Sequence, residues 1–309
     1  MGELSERGWL PSQDSEVNDW SPLLVARLGQ ALGEAASAVF VPILTHVLAL
    51  HLSKCTGQRA VPVDADSVVL ATSPYWDFSK VPPPVRVEPS GGSWVLNGRL
   101  PLVVNGHAAS FLVVPAQLPG GIPVICGVQL NQAGVIQSKS IPQLGLRGAA
   151  ARNILFSSVV VTEGSFYCQG ALATSTLQNA FGMLGWGVIG MLSGLIAKAL
   201  AEAKDYAGLR MQGGRRIIDH RPVAELLSVA CSAEDLLKSW VNQLGELGDS
   251  DTPPQPPLKE AGRTAIRATE ATLQVFGGNG YICPGIAERC WRDARQAAAL
   301  CSEAGCPCE

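Results

Sequence analysis

Gln274-Val-Phe-Gly-Gly-Asn-Gly-Tyr281, followed a few residues later by Glu288-Arg-Cys-Trp-Arg-Asp-Ala-Arg295, organises the C-terminal half of the chain. A helix over Lys259–Phe276 stops at Gly277-Gly278, and Pro284-Gly285 opens another over Ile286–Ala304. Consecutive glycines let backbone approach a bulky anion closely, although such a cluster also serves as a plain helix end and loop. Toward the N-terminus, the Pro-rich run Gly248–Pro257 separates this pair from two further helical patterns, Leu172–Met211 and Pro222–Leu247. Four helices with connecting loops predict an antiparallel bundle.

The first of these helices carries no Asp, Glu, Lys or Arg between Glu163 and Lys198. Leu177–Ala197 is long enough to span a bilayer. It holds Gly182, Gly185, Gly187, Gly190 and Gly194, the last two forming a G-x-x-x-G. Gln178, Asn179 and Ser193 interrupt it, and no basic cluster flanks it. A helix bent at its glycines and buried on all sides is the reading preferred to a membrane span.

Upstream the periodicity changes. Ser67–Thr72, Val85–Glu88, Ser93–Leu96, Phe111–Pro115, Val124–Leu130 and Asn153–Thr162 are short β-type runs separated by Gly, Pro and Asn. Asn97-Gly98 reads as a hairpin turn. These runs predict a small barrel or sandwich. Before them, Ser21 and Pro22 open a helix marked by Leu24, Val25, Leu28 and Leu32, and Val41–Leu52 forms a second. The expected domains are a helical region over 1–66, a β-barrel over 67–165 and a four-helix bundle over 166–309.

Of the 309 residues 47% are apolar and 16% charged, which excludes a disordered chain. The net charge of −3 gives no broad field for nucleic acid. The nine cysteines and the polar, acidic start predict a cytoplasmic protein with reduced thiols and neither membrane nor nucleic-acid partners. Cys301, Cys306 and Cys308 have no histidine nearby, so no metal site is expected. His46, His51 and His107 read as structural or surface histidines, and His220 as a polar pair with Asp219 at a helix start.

The order helices, barrel, bundle resembles the acyl-CoA dehydrogenase family. The resemblance is carried by Gln274–Tyr281 with Glu288–Arg295, by Tyr206-Ala-Gly-Leu-Arg210 running on to Gly214 and Ile217, and by Trp94–Gly98, Asn105-Gly106 and Leu144–Arg147. It covers roughly residues 20–305 and implies an α+β fold, FAD, and α,β-dehydrogenation of an acyl-CoA thioester. It also implies that Arg210, Gln274, Gly277 and Gly278 hold the pyrophosphate and adenosine of a FAD seated on a neighbouring chain. Arg210 suits that role as a permanent planar cation, and Gln274 can bond a phosphate or adenine edge. Asp293 is expected in an ion-pair network with Arg292 and Arg295.

Other positions depart from the family pattern. The glycine-rich flavin cradle aligns with Thr72-Ser-Pro-Tyr-Trp-Asp-Phe-Ser79, so Tyr75, Trp76 and Asp77 replace residues that admit the ring. Leu102 and Val104 replace a Trp and a Thr facing the flavin. The catalytic carboxylate falls on Cys301, leaving Glu303 as the nearest candidate base, and the alternative base position falls near Leu184. Such a chain resembles the shortened, site-poor subunit of heteromeric α2β2 acyl-CoA dehydrogenases acting on bulky thioesters. This implies a full-length partner subunit, with electron-transfer flavoprotein as a further partner. Two alternatives remain open: a FAD-less enzyme using Asp77, Tyr75, His107 or Cys126 for non-redox chemistry on a CoA- or carrier-bound intermediate, and a purely structural relative.

Overall fold

The computed structural model describes residues 20–53, 70–75, 78, 82–247 and 254–300. Helix α1, Pro22–Ser53, starts where Ser21 Oγ accepts the Leu24 N–H at 3.2 Å. The two expected helices are joined within it across a break at Ala36, which has extended backbone (φ −161°, ψ 74°).

The β-domain is one eight-stranded sheet: β1 Leu70–Ala71, β2 Val85–Ser90, β3 Ser93–Val103, β4 Phe111–Leu118, β5 Ile122–Gln129, β6 Val135–Gln137, β7 Arg152–Val161 and β8 Phe166–Gln169. The order is β6-β7-β3-β2-β4-β5-β8, with β1 parallel to β4. Strand β8 pairs with β5, so the sheet extends to Gln169, past the boundary expected at residue 165. Asn97-Gly98 is not a turn. The chain reverses at Gly91-Gly92, and Asn97-Gly98 lies inside β3 at a register shift against β7. Asn97 Oδ1 accepts the Ser158 N–H there (2.8 Å), and Gly98 takes φ +129° against the Pro84 carbonyl. The Asn-Gly pair marks a β-bulge, which wants the same permissive backbone as a turn.

The bundle comprises α2 Ala171–Leu209, α3 Arg221–Glu246, α4 Leu258–Val275 and α5 Ile286–Ala299, with a small hairpin, β9 Met211–Gln212 and β10 Arg215–Arg216, between α2 and α3. Helix α2 is continuous, and Gly187, Gly190 and Gly194 are contact points for α1. A Cβ at Gly190 or Gly194 would stand 2.0 Å from the carbonyl oxygen of Ala26 or Gln30. Conversely, one at Gly33 would stand 2.2 Å from the Met191 carbonyl oxygen. The two backbones therefore meet with nothing between them. Both α1 and α2 are long and apolar enough to cross a membrane, but their apolar windows are 67% and 89% buried within the fold. Packing against other helices accounts for the missing charge in α2.

Helix α1 also anchors the sheet. His46 Nδ1 accepts the Leu70 N–H (3.1 Å), and Asn105 Nδ2 donates to the Pro42 carbonyl (2.8 Å).

Candidate functional site

The end of α2, the β9–β10 hairpin and the end of α4 enclose a cavity of about 550 Å³ that gathers Arg210, Gln274, Gly277 and Gly278 with Tyr206, Phe276 and His220. Its geometry follows from local rules. Helix α2 ends at Arg210, whose N–H donates to the Tyr206 carbonyl (2.9 Å) and whose carbonyl accepts the Ile217 N–H (2.8 Å). This fixes the backbone and leaves the guanidinium exposed, without a partner among the described residues. Tyr206 stacks on Phe276 with centroids 4.6 Å apart, which ties α2 to the end of α4. Asn279 Nδ2 donates to the Tyr206 hydroxyl (3.2 Å). The Tyr281 hydroxyl donates to Gln274 Oε1 (3.1 Å), leaving the Gln274 amide nitrogen for a ligand. The cavity thus offers a permanent cation and an amide donor, the chemistry of an anion site.

The glycines divide by role. Gly277 takes φ +57°, and a Cβ on Gly277 or Gly278 would meet nothing within 4 Å. A Cβ on Gly280 would stand 2.5 Å from the Leu273 carbonyl oxygen. Gly277 and Gly278 therefore keep backbone open to the cavity, whereas Gly280 is a packing glycine. His220 was legible only as a neighbour of Asp219. In the fold it turns to the hairpin, with Nε2 3.0 Å from the Gln212 carbonyl oxygen and Nδ1 3.2 Å from Arg215. Tyr206 and Phe276 had no sequence signal beyond their place in the motifs.

Glu288–Arg295 lies in α5 and serves structure. Arg292 pairs with Glu288 through Nε (2.5 Å) and Nη2 (3.2 Å) and donates to the Leu144 carbonyl (2.9 Å). The Arg292 guanidinium holds the Glu288 carboxyl down at about 2. Asp293 makes hydrogen bonds rather than the expected ion pairs: it accepts Ser37 Oγ (2.7 Å) and the Leu146 N–H (2.6 Å). Arg295 reaches Glu270 (3.6 Å) and lies over Trp291. One acidic side chain thus joins α5 to α1 and to the loop after β6.

The cradle segment differs in character from the cavity. Tyr75 is 5% exposed, and its hydroxyl accepts Gln143 Nε2 (2.8 Å). Burial pushes its phenol up. Val104 is fully buried and bridges to Thr72, while Leu102 takes φ +50°. The Thr72 and Ser73 hydroxyls are buried without partners among the described residues, which leaves polar atoms for a ligand to satisfy. Tyr75, which the resemblance aligns with a family glycine, is buried with its hydroxyl against Gln143. The cavity residues have the chemistry to hold the diphosphate end of a dinucleotide. Trp76, Asp77, Cys301, Glu303, Cys306 and Cys308 lie outside the described residues.

At the alternative base position, Leu184 is 2% exposed. Beside it, Trp186 Nε1 donates to the Pro254 carbonyl (2.9 Å), and a Cβ on Gly185 would stand 2.5 Å from Pro256 Cγ. The only buried carboxylates among the described residues, Glu288 and Asp293, are both committed to structure. Cys126 is fully buried in β5, with its thiol pushed up by burial, and His107 is exposed.

Residues 174–300 match the family described as acyl-CoA dehydrogenase, C-terminal domain. The structure superposes on glutaryl-CoA dehydrogenase from Mycobacterium smegmatis with a TM-score of 0.83, at 18% identity, over 96% of this chain and 80% of that one. The fold is that of the acyl-CoA dehydrogenases. A second structure of a glutaryl-CoA dehydrogenase from that organism, in complex with FADH2, superposes with a TM-score of 0.81 at 16% identity, over 96% of this chain and 80% of that one. The human mitochondrial short-chain specific acyl-CoA dehydrogenase is 28% identical over 219 residues, 66% of this chain and 52% of that protein. The caffeyl-CoA reductase-Etf complex subunit CarC of Acetobacterium woodii is 28% identical over 220 residues, 66% of this chain and 56% of that protein. The chain spans about half the length of these curated relatives.

Proposed function

We propose that this chain is a subunit of a flavin-dependent acyl-CoA dehydrogenase and completes the FAD site of a partner chain. The observation that carries the reading is an asymmetry. The cavity around Arg210, Gln274, Gly277 and Gly278 is assembled and open, whereas the segment aligned with the ring cradle carries Tyr75, buried and bonded to Gln143, where the family has a glycine. FAD supplies a hydride acceptor for the β-carbon of an acyl-CoA thioester while a carboxylate removes the α-proton. In this chain Arg210 binds the diphosphate, the Gln274 amide orients the adenosine end, and the Gly277-Gly278 backbone lets both approach. The partner supplies cradle and base, since Leu184 cannot take a proton and Glu303 stands outside the family's base position. The assembly is an α2β2 heterotetramer in the cytoplasm, acting on a lipid- or steroid-type thioester. Electron-transfer flavoprotein is the proposed electron acceptor, by analogy with the relative named for an Etf complex.

The test is to purify the chain alone and with a co-expressed full-length acyl-CoA dehydrogenase, and to record flavin absorbance and acyl-CoA-dependent bleaching. The complex holds FAD and the chain alone does not. Arg210→Ala and Gln274→Ala lower the flavin affinity of the complex by about 10-fold or more, as loss of a charge-assisted contact predicts. Stoichiometric FAD on the isolated chain, or a complex indifferent to both substitutions, overturns the reading.

A further inference from the structure

Hydrogen bonds around the cavity at the ends of α2 and α4 decide which polar atoms remain for a ligand. Gln274 Oε1 accepts the Tyr281 hydroxyl (3.1 Å), and the Tyr206 oxygen accepts Asn279 Nδ2 (3.2 Å). Both bonds use up acceptors. A phenol oxygen accepts and donates, so Tyr206, with Asn279 on its oxygen, still has a proton to give. No group takes that proton among the described residues. The Arg210 guanidinium can only donate. Tyr206, Arg210, Gln274 and Asn279 all line the cavity, and no carboxylate lines it among the described residues.

We propose that Tyr206 is a further anion-binding residue of this cavity: its hydroxyl donates to a diphosphate oxygen, and Asn279 positions that hydroxyl. The inference rests on reading the cavity as a diphosphate clamp, and it adds a third side-chain donor to Arg210 and Gln274. Tyr206 stands four residues before Arg210 at the end of α2, and residues four apart share a helix face. The Arg210 N–H bond to the Tyr206 carbonyl (2.9 Å) keeps the last turn closed, so the two side chains start from one rigid piece of backbone.

The phenol is held before any ligand arrives. Its ring stacks on Phe276, with centroids 4.6 Å apart and planes 28° apart, which fixes where the oxygen sits. The Asn279 N–H occupies one side of that oxygen and leaves the O–H to point elsewhere. An N–H donated to a hydroxyl also polarises the O–H and makes it a better donor. A hydrogen bond to an ionised oxygen is roughly twice as strong as one between neutral groups, so the hydroxyl gains most when its acceptor is a phosphate. A purely structural tyrosine would instead use the ring to tie α2 to α4 and the hydroxyl only to hold Asn279.

The experiment uses the whole chain with inorganic pyrophosphate as the probe, titrated calorimetrically into the parent protein, Arg210→Ala, Tyr206→Phe, Asn279→Ala and the double variant Tyr206→Phe/Asn279→Ala. Tyr206→Phe keeps the ring and its stack and removes only the hydroxyl. It is expected to weaken pyrophosphate binding by about 10-fold, with little change in the melting temperature of the free chain, and Arg210→Ala to weaken it by at least as much. Asn279→Ala is expected to weaken binding by about three-fold in the parent protein and not at all in the Tyr206→Phe background, because its effect runs through the hydroxyl. Binding that is lowered by Arg210→Ala and indifferent to Tyr206→Phe overturns this inference alone. An Asn279→Ala loss of the same size in both backgrounds overturns the positioning role. Failure of pyrophosphate to bind, or binding indifferent to Arg210→Ala, overturns the inference together with the clamp reading.

Discussion

His46 shows how one side chain sets a pH dependence for the whole fold. Its Nδ1 holds the Leu70 N–H, and burial lowers its pKa from 6.5 to about 4. The folded state keeps the ring neutral, whereas the unfolded chain takes up a proton as soon as the pH falls below the ordinary histidine range. Between these two values the unfolded state binds more protons. The stabilisation is therefore complete above 6.5 and is lost as the pH falls toward 4. The expected loss is about 2 kcal/mol on going from pH 7 to pH 5. Denaturant titrations across that range check it. His46→Gln, which keeps an acceptor but cannot be protonated there, removes this part of the slope, and an unchanged slope would contradict the assignment.

At the scale of elements, the glycines of α2 and those after α4 look alike in sequence and behave differently. Gly190 sits where α1 and α2 touch backbone to backbone, so Gly190→Ala forces the helices apart. It costs about 3 kcal/mol, at the upper end of overpacking effects. Gly278 faces open space, so Gly278→Ala changes stability by less than about 0.5 kcal/mol. In the proposed complex, however, its methyl group intrudes on the bound diphosphate and lowers flavin content. Thermal unfolding of both variants, with flavin absorbance of the complex for the second, separates packing from ligand approach. Equal destabilisation by the two substitutions would refute the division.

At the scale of the whole molecule, Asp293 joins bundle, β-domain and α1. Asp293→Ala leaves the buried Leu146 N–H and Ser37 hydroxyl unsatisfied and costs about 3 kcal/mol. Because the contact spans the domains, the loss should appear as a lower midpoint of one cooperative transition, read by circular dichroism and tryptophan fluorescence together. Two separated transitions in the native protein would argue against a single cooperative unit. Leu209 (82%) and Met211 (57%), which flank Arg210 in the chain, and Ile282 (63%), next to Tyr281, are exposed apolar side chains that a partner chain would cover in the proposed complex. Leu209→Ser with Ile282→Ser is expected to weaken association with the full-length subunit, measured by analytical ultracentrifugation, without lowering the melting temperature of the chain alone.

The order of elements was legible in the sequence, because it rests on local signals; Arg210, Gln274, Gly277 and Gly278, marked by their motifs, line one cavity, and that they hold an anion belongs to the proposed function. Period-3.6 and period-2 patterning separate helices from strands. Gln274-Val-Phe-Gly-Gly carries its helix end and its open backbone within a few residues, and Arg210 stands at the end of a long helix. Distance in sequence hid the rest. Asn97-Gly98 reads as a turn until β7, some sixty residues on, claims the Asn97 side chain at a bulge. Glu288–Arg295 looks like one motif with the clamp, yet Asp293 spends both oxygens on Ser37 and Leu146. A charge-free helix is compatible with lipid or protein, and in the fold 89% of its apolar window is buried, with Gly190 and Gly194 seated under the backbone of α1. Composition records that a surface must be apolar or close-fitting. Which surface meets it is fixed by tertiary contacts, since these depend on residues far apart in the chain.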